Sequence, residues 1–98
     1  MTRDEAIARI RPHEAELRAA GITSLALFGS IARGEGREGS DIDLMCEIDR
    51  ASRMDLIQFA GLQRRLEEYV ERPVDLVERH SMRPRIRVRA EADKVLIF

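Results

Sequence analysis

The sequence predicts an α/β protein of the α+β kind, a mixed β-sheet flanked by helices. Three strand-like apolar runs, at residues 23–28, 41–48 and 74–78, carry that expectation. The second run alternates. Ile42, Leu44, Cys46 and Ile48 point one way, and Asp41, Asp43, Met45 and Glu47 the other. Between the second and third runs lies a helical pattern with Leu56, Phe59, Leu62, Leu66, Tyr69 and Val70 on its inner face.

The elements follow in order. Thr2-Arg3-Asp4-Glu5 fits a capping box, with Ile7 and Ile10 on the apolar side of the helix it opens. Pro12 kinks or restarts that helix, because its ring removes an amide donor and crowds the preceding turn. A second helical stretch runs to about Ala20 with Leu17 inward, and Gly21 stops it. Thr23 to Phe28 is the first strand, Gly29 to Arg33 a short helix or tight turn, and Glu35 to Ser40 a glycine-rich loop. Asp41 to Ile48 is the second strand. Ser52 and Asp55 open the long helix, and Pro73 ends it. Val74 to Glu78 is the third strand, Pro84 starts a last helix, and Val95 to Phe98 forms a final short strand.

Ninety-eight residues with 44% hydrophobic content fit one domain over 1–98, small for a self-sufficient core. One cysteine, Cys46, excludes an internal disulfide. The first ten residues lack the apolar stretch of a signal peptide, and no run approaches the length of a membrane span. A cytoplasmic location without membrane contact is the expectation. The net charge of −1, 4% aromatic content and absence of Trp give no sign of nucleic-acid binding. Charge is uneven, however. Arg79, Arg83, Arg85, Arg87, Arg89 and Lys94 against Glu91 and Asp93 make residues 79–94 +4, leaving −5 elsewhere. Such a run is ordinarily a solvated face, and otherwise meets an acidic partner or a triphosphate.

The chemistry concentrates in residues 29–44, GSIARGEGREGSDIDL. Asp41 and Asp43 share a strand face, where two like charges repel and each prefers water. A divalent cation such as Mg²⁺ gives them a reason to be there, since it takes carboxylate and phosphate oxygens together. Gly29-Ser30 at a strand end offers amide donors and a hydroxyl to a phosphate, glycine letting it approach the main chain. Asp75, inside the apolar run Val74-Asp75-Leu76-Val77, completes a three-carboxylate site if its strand neighbours the second. Otherwise it is an edge-strand acid paired with an arginine. Two other spacings fail. Gly34, Gly36 and Gly39 match G-x-G-x-x-G but precede a strand rather than a helix, and Gly29 with Gly34 has P-loop spacing with Glu35 where a lysine is needed. His13 and His80 have no metal-ligand spacing, Tyr69 belongs to core or interface, and Met45 shares the aspartate face.

Taken together, Gly29, Ser30, Asp41, Asp43 and Asp75 resemble the Gly-Ser, Asp-x-Asp and later-strand acid of the DNA polymerase β-like nucleotidyltransferase superfamily. The wording Ala32-Arg33-Gly34 and Ser40-Asp41-Ile42-Asp43-Leu44 is similar to the minimal nucleotidyltransferases, the MntA-type antitoxins. The resemblance covers roughly residues 24–77.

That resemblance implies the polymerase β-like fold, ATP as substrate, Mg²⁺ as cofactor (a pair of ions) and nucleotidyl transfer with loss of pyrophosphate. It implies that Gly29 and Ser30 hold the β- and γ-phosphates and that Arg33 and Ser40 lie at the nucleotide. Asp41 and Asp43 would bind metal, and Asp75 would bind the catalytic metal and orient the acceptor hydroxyl. The implied acceptor is a tyrosine of a cognate HEPN-type toxin, a small helical RNase silenced by AMP and held in a stable complex. The short chain also leaves no room for an acceptor-binding domain, which again points to a protein partner. The alternative is a non-catalytic antitoxin that neutralises its partner by complex formation. The intact catalytic set favours activity.

Overall fold

In a computed structural model, which describes residues 1–37 and 39–98, the chain begins with helix α1 (Arg3–Ile10). The Thr2 hydroxyl oxygen accepts the Glu5 amide at 3.2 Å and fixes the helix start. Pro12 turns the chain through a 3₁₀ turn, Arg11–His13, into α2 (Glu14–Ala19). Gly21, at φ +115°, then releases the chain into strand β1 (Ile22–Phe28), one residue earlier than the sequence suggests. Helix α3 (Gly29–Ala32) is a single turn. The glycine-rich loop leads to β2 (Ile42–Ile48); Glu38, inside that loop, lies outside the described residues. Helix α4 (Leu56–Val70) starts at a reciprocal capping box between Asp55 and Gln58, and strand β3 (Val74–Glu78) follows. Helix α5 (Pro84–Asp93) and the two-residue strand β4 (Val95–Leu96) complete the described chain.

The four strands form one sheet in the order β3-β2-β1-β4. β1 runs antiparallel to β2 and β4, while β2 and β3 are parallel, with α4 as their crossover. The fold is therefore a mixed sheet with helices, as the sequence predicts.

The alternation of β2 decides what each face does. Ile42, Leu44 and Cys46 enter the main core with Leu25, Leu27, Leu62, Leu66, Val70 and Leu76 under α1, α2 and α4. The other face carries Asp43 and then Met45, which packs with Ala26 and Ala90 beneath α5. Met45 is thus core against α5. Its burial beside an aspartate face was not legible from strand alternation alone.

One inward residue of α4 is misplaced by the sequence reading. Leu56 is 86% exposed. Fourteen helical residues turn through about 1,400°, which leaves Leu56 only about 40° from buried Val70. Its place in the first turn of α4, beyond the reach of the core, and not its rotation exposes it. Leu66→Ala is accordingly expected to destabilise the fold by about 2–5 kcal/mol. Leu56→Ala should stay within about 0.5 kcal/mol of wild type. Urea unfolding of the two variants checks the pair.

Candidate active site

β1 ends at Phe28, whose Cα register partner on β2 is Asp43. The chain must turn sharply there, and Gly29 does so at φ +76°, a left-handed conformation that glycine adopts without steric penalty. A Cβ on Gly29 would stand 2.3 Å from Asp43 Oδ2, so the glycine makes the space the carboxylate occupies. α3 then closes with the Arg33 amide bonded to the Gly29 carbonyl at 3.1 Å. Ser30 sits half-buried in this turn, and its carbonyl accepts the Glu35 amide at 2.8 Å.

The three aspartates come from two adjacent strands. Asp43 on β2 is paired in register with Asp75 on β3. Asp41 precedes β2, and the next amide, of Ile42, bonds to the Pro73 carbonyl at 3.0 Å. Asp43 is half-buried, whereas Asp41 and Asp75 are exposed. Burial pushes the Asp43 carboxyl above its ordinary range, the Asp75 and Asp41 charges push it further, and the Arg33 guanidinium opposes them. The Asp75 strand thus neighbours the Asp43 strand, the adjacency on which the three-carboxylate reading depends.

Among the described residues, no three His, Cys, Asp or Glu side chains form a ready-made metal cage. The donor set itself, carboxylate oxygens on one sheet face beside a glycine-opened turn, suits a hard divalent cation such as Mg²⁺. The donor chemistry agrees with the ion that the sequence pattern implies, without a preassembled cage among the described residues.

Ser40 has a local role. Its hydroxyl oxygen accepts the Arg37 amide at 2.9 Å and its own amide bonds to the Arg37 carbonyl at 2.9 Å, closing a turn just before Asp41. Arg33 is already engaged, donating to Glu35 at 2.9 Å and to Asp93 at 2.8 Å. Asp93 is the residue that sequence reasoning missed at this site. It lies sixty positions from Arg33, and no local pattern links the two.

The remaining singled-out residues lie elsewhere. Arg79 bridges Glu47 at 2.7 Å and Glu91, tying β2 to α5. Arg79 is therefore structural, and Lys94 also pairs with Glu91 at 2.8 Å. Arg83, Arg85, Arg87 and Arg89 make no ion pair among the described residues. The Tyr69 hydroxyl donates to Glu16 at 2.7 Å, and its ring stacks on His13 at 3.6 Å. Burial and the Glu16 carboxylate push that phenol up to about 12. His80 pairs with Glu78 at 2.9 Å on the surface. Burial among apolar side chains pushes the Cys46 thiol up to about 12, leaving it an unreactive core group.

A cleft of about 860 Å³ opens at the β3 edge, lined by Ile48, Met54, Leu56, Ile57, Phe59 and Met82 among others. Leu56 and Ile57 stand 86% and 81% exposed there. Among the described residues, no helix is long and apolar enough to cross a membrane.

Residues 10–97 match a family model described as a nucleotidyltransferase domain. The chain is 39% identical over 74 residues to a Methanocaldococcus jannaschii protein named as a protein adenylyltransferase, covering 74% of this chain and 84% of the relative. It is 32% identical over 84 residues to the protein adenylyltransferase MntA of Thermococcus cleftensis, covering 85% of this chain and 83% of the relative. A solved minimal nucleotidyltransferase superposes with a TM-score of 0.82 at 29% identity, covering 97% of this chain and 95% of the other. Two toxin–antitoxin structures share the fold. One, with AMP-PNP, has a TM-score of 0.73 at 23% identity, covering 90% of this chain and 72% of the other. The second holds a tri-AMPylated Shewanella oneidensis HEPN toxin with its MNT antitoxin, TM-score 0.64 at 21% identity, covering 90% of this chain and 68% of the other.

Proposed function

The chain belongs to the nucleotidyltransferase domain family and is a nucleotidyltransferase, and from that premise we propose that it transfers AMP from ATP to a tyrosine hydroxyl of a HEPN-type toxin, as the antitoxin of the pair. The observation that carries the reading is the in-register Asp43–Asp75 pair facing the turn that Gly29 opens. It puts carboxylates from two strands beside the glycine turn at the end of β1. The names of the relatives and the AMP-PNP and tri-AMPylated toxin complexes of the structural neighbours support ATP and a protein acceptor. The exposed Leu56–Ile57 pair supports a protein partner too, since exposed apolar patches mark interaction surfaces. The reading places the chain in the cytoplasm and needs no nucleic-acid contact.

The chain's own residues divide the work as follows. Gly29 and Ser30 receive the β- and γ-phosphates at the start of α3. Asp41, Asp43 and Asp75 would hold Mg²⁺, which when bound neutralises phosphate charge and favours in-line displacement. Asp75, the exposed member beside Asp43, takes the proton of the acceptor hydroxyl. The acceptor oxygen then bonds to the α-phosphorus as the bond to the bridging oxygen breaks, and pyrophosphate leaves with that electron pair. Arg33 offsets phosphate charge from the C-terminal end of α3. Positioning and charge stabilisation supply most of the rate, as in phosphoryl transfer generally.

Incubation of the chain with α-labelled ATP, Mg²⁺ and a lysate of its native cell tests this. A protein band labelled by wild type and absent with Asp41→Asn/Asp43→Asn is the expected result. If that double variant still neutralises the toxin in cells, the binding-only antitoxin is the correct reading. Label on a small molecule, with none on protein, would also overturn the proposal.

A further inference from the structure

We propose that Asp93 is a positioning residue for the nucleotide site, holding the Arg33 guanidinium at the junction of α3 and the aspartate face. The inference rests on the reading of Gly29, Ser30 and the aspartates as an ATP site, and adds a residue to it from the far end of the chain.

Arg33 follows α3 directly, four positions after Gly29, so its side chain starts at the same turn that faces Asp43. Its Nη1 donates to Asp93 Oδ2 at 2.8 Å and its Nε to Glu35 Oε2 at 2.9 Å. The two tethers differ in stiffness. Glu35 stands between Gly34 and Gly36 in the loop, and its side chain is 64% exposed. Asp93 is the last residue of α5, and its side chain is only 25% exposed. α5 itself is pinned by Ala90, buried against Ala26 and Met45, and by Glu91, bonded to Arg79. The pair with Asp93 is therefore the less solvent-screened and the better anchored.

A guanidinium carries five N–H donors in a planar fork, and these two carboxylates use two of them. A fork already fixed through two donors still has N–H groups left for phosphate oxygens and need not lose its rotamer freedom on binding them. The Arg33 amide donates to the Gly29 carbonyl at 3.1 Å, which keeps the arginine on the turn that the Asp43 carboxylate abuts. Asp93 thus couples the nucleotide turn to a helix that lies outside the Gly-Ser and Asp-x-Asp motif.

Calorimetric binding of the α,β-methylene analogue of ATP with Mg²⁺ to the full chain tests this without requiring turnover. Asp93→Ala is expected to weaken binding by about five- to tenfold, the scale of one charge-assisted contact. Asp93→Asn keeps an oxygen acceptor and should lose less. Adding Asp93→Ala to Arg33→Ala should cost nothing further, because Asp93 acts through Arg33. Glu35→Ala should bind at least as tightly as wild type. The Arg33 Nη–H resonances should shift in both Asp93 variants, including the isosteric Asn if Ala unfolds the chain. Wild-type affinity in Asp93→Ala, or an equal loss in the Arg33→Ala background, would overturn the positioning role alone. If wild type itself does not bind the analogue, the nucleotide-site reading falls together with this one.

Discussion

Gly29→Ala is expected to slow nucleotidyl transfer by on the order of 10²-fold while leaving a folded protein. Two effects coincide at this position. The backbone is at φ +76°, and a Cβ in the left-handed region costs roughly 1–2 kcal/mol. The new methyl would also meet Asp43 Oδ2 at 2.3 Å, so the carboxylate must swing out of the face it shares with Asp75. Displacing a reacting or ligating group by about an ångström costs on the order of 10²-fold in rate. Gly34→Ala separates the two effects. Gly34 has nearly the same conformation, φ +78°, with no atom of the described residues within 4 Å of the added carbon. It should lose comparable stability and keep most of its activity. Equal activity in the two variants, measured by label transfer beside thermal melts, would show that Gly29 serves the turn alone.

Asp43→Asn should eliminate transfer and stabilise the free protein. The loss of activity should reach about 10³-fold, roughly 4 kcal/mol of transition-state stabilisation. The gain in stability follows from the direction in which Asp43 is shifted. Burial, Asp75 and Asp41 raise its folded value above the unfolded one. Its contribution to stability is therefore fully present below the unfolded value and lost as pH rises through the folded one. At pH 7 the ionised carboxylate opposes folding, and an uncharged Asn does not. The variant should melt above wild type at pH 7, and the two curves should converge as pH falls. Saturating Mg²⁺ should narrow or reverse the gap, since a ligand that prefers the wild-type site stabilises only that protein. A variant that melts lower than wild type at pH 7 without Mg²⁺ would mean that Asp43 is a structural anchor rather than a strained functional group.

Both results concern the same few atoms, and the sequence brought most of them into view. Alternation along β2 assigned Asp41 and Asp43 to one face, because side chains on a strand repeat every two residues. Gly29 was legible as a turn, and Gly21 and Pro12 as punctuation, because their backbone restrictions act locally. The strand Val74–Glu78 was legible in full for the same reason. Those constraints need no knowledge of the rest of the molecule.

Tertiary structure decided what depends on contacts between distant segments. That Asp75 pairs with Asp43 follows from the β2–β3 register, which the α4 crossover and the shared core set. That Gly29 makes room for the Asp43 carboxylate follows from the β1–β2 register. Leu56 is exposed because the described core does not reach the first turn of α4, and periodicity cannot say how far along a helix its partner extends. Met45 is buried because α5 covers one end of the aspartate face and leaves the other open. Arg33 and Asp93 meet because that same helix ends beside α3. By itself the sequence determined the residue types, their faces and the chemistry they can perform, since these are set by each side chain and its near neighbours. The folded chain determined which of them share a site, since that is set by packing between elements far apart in sequence.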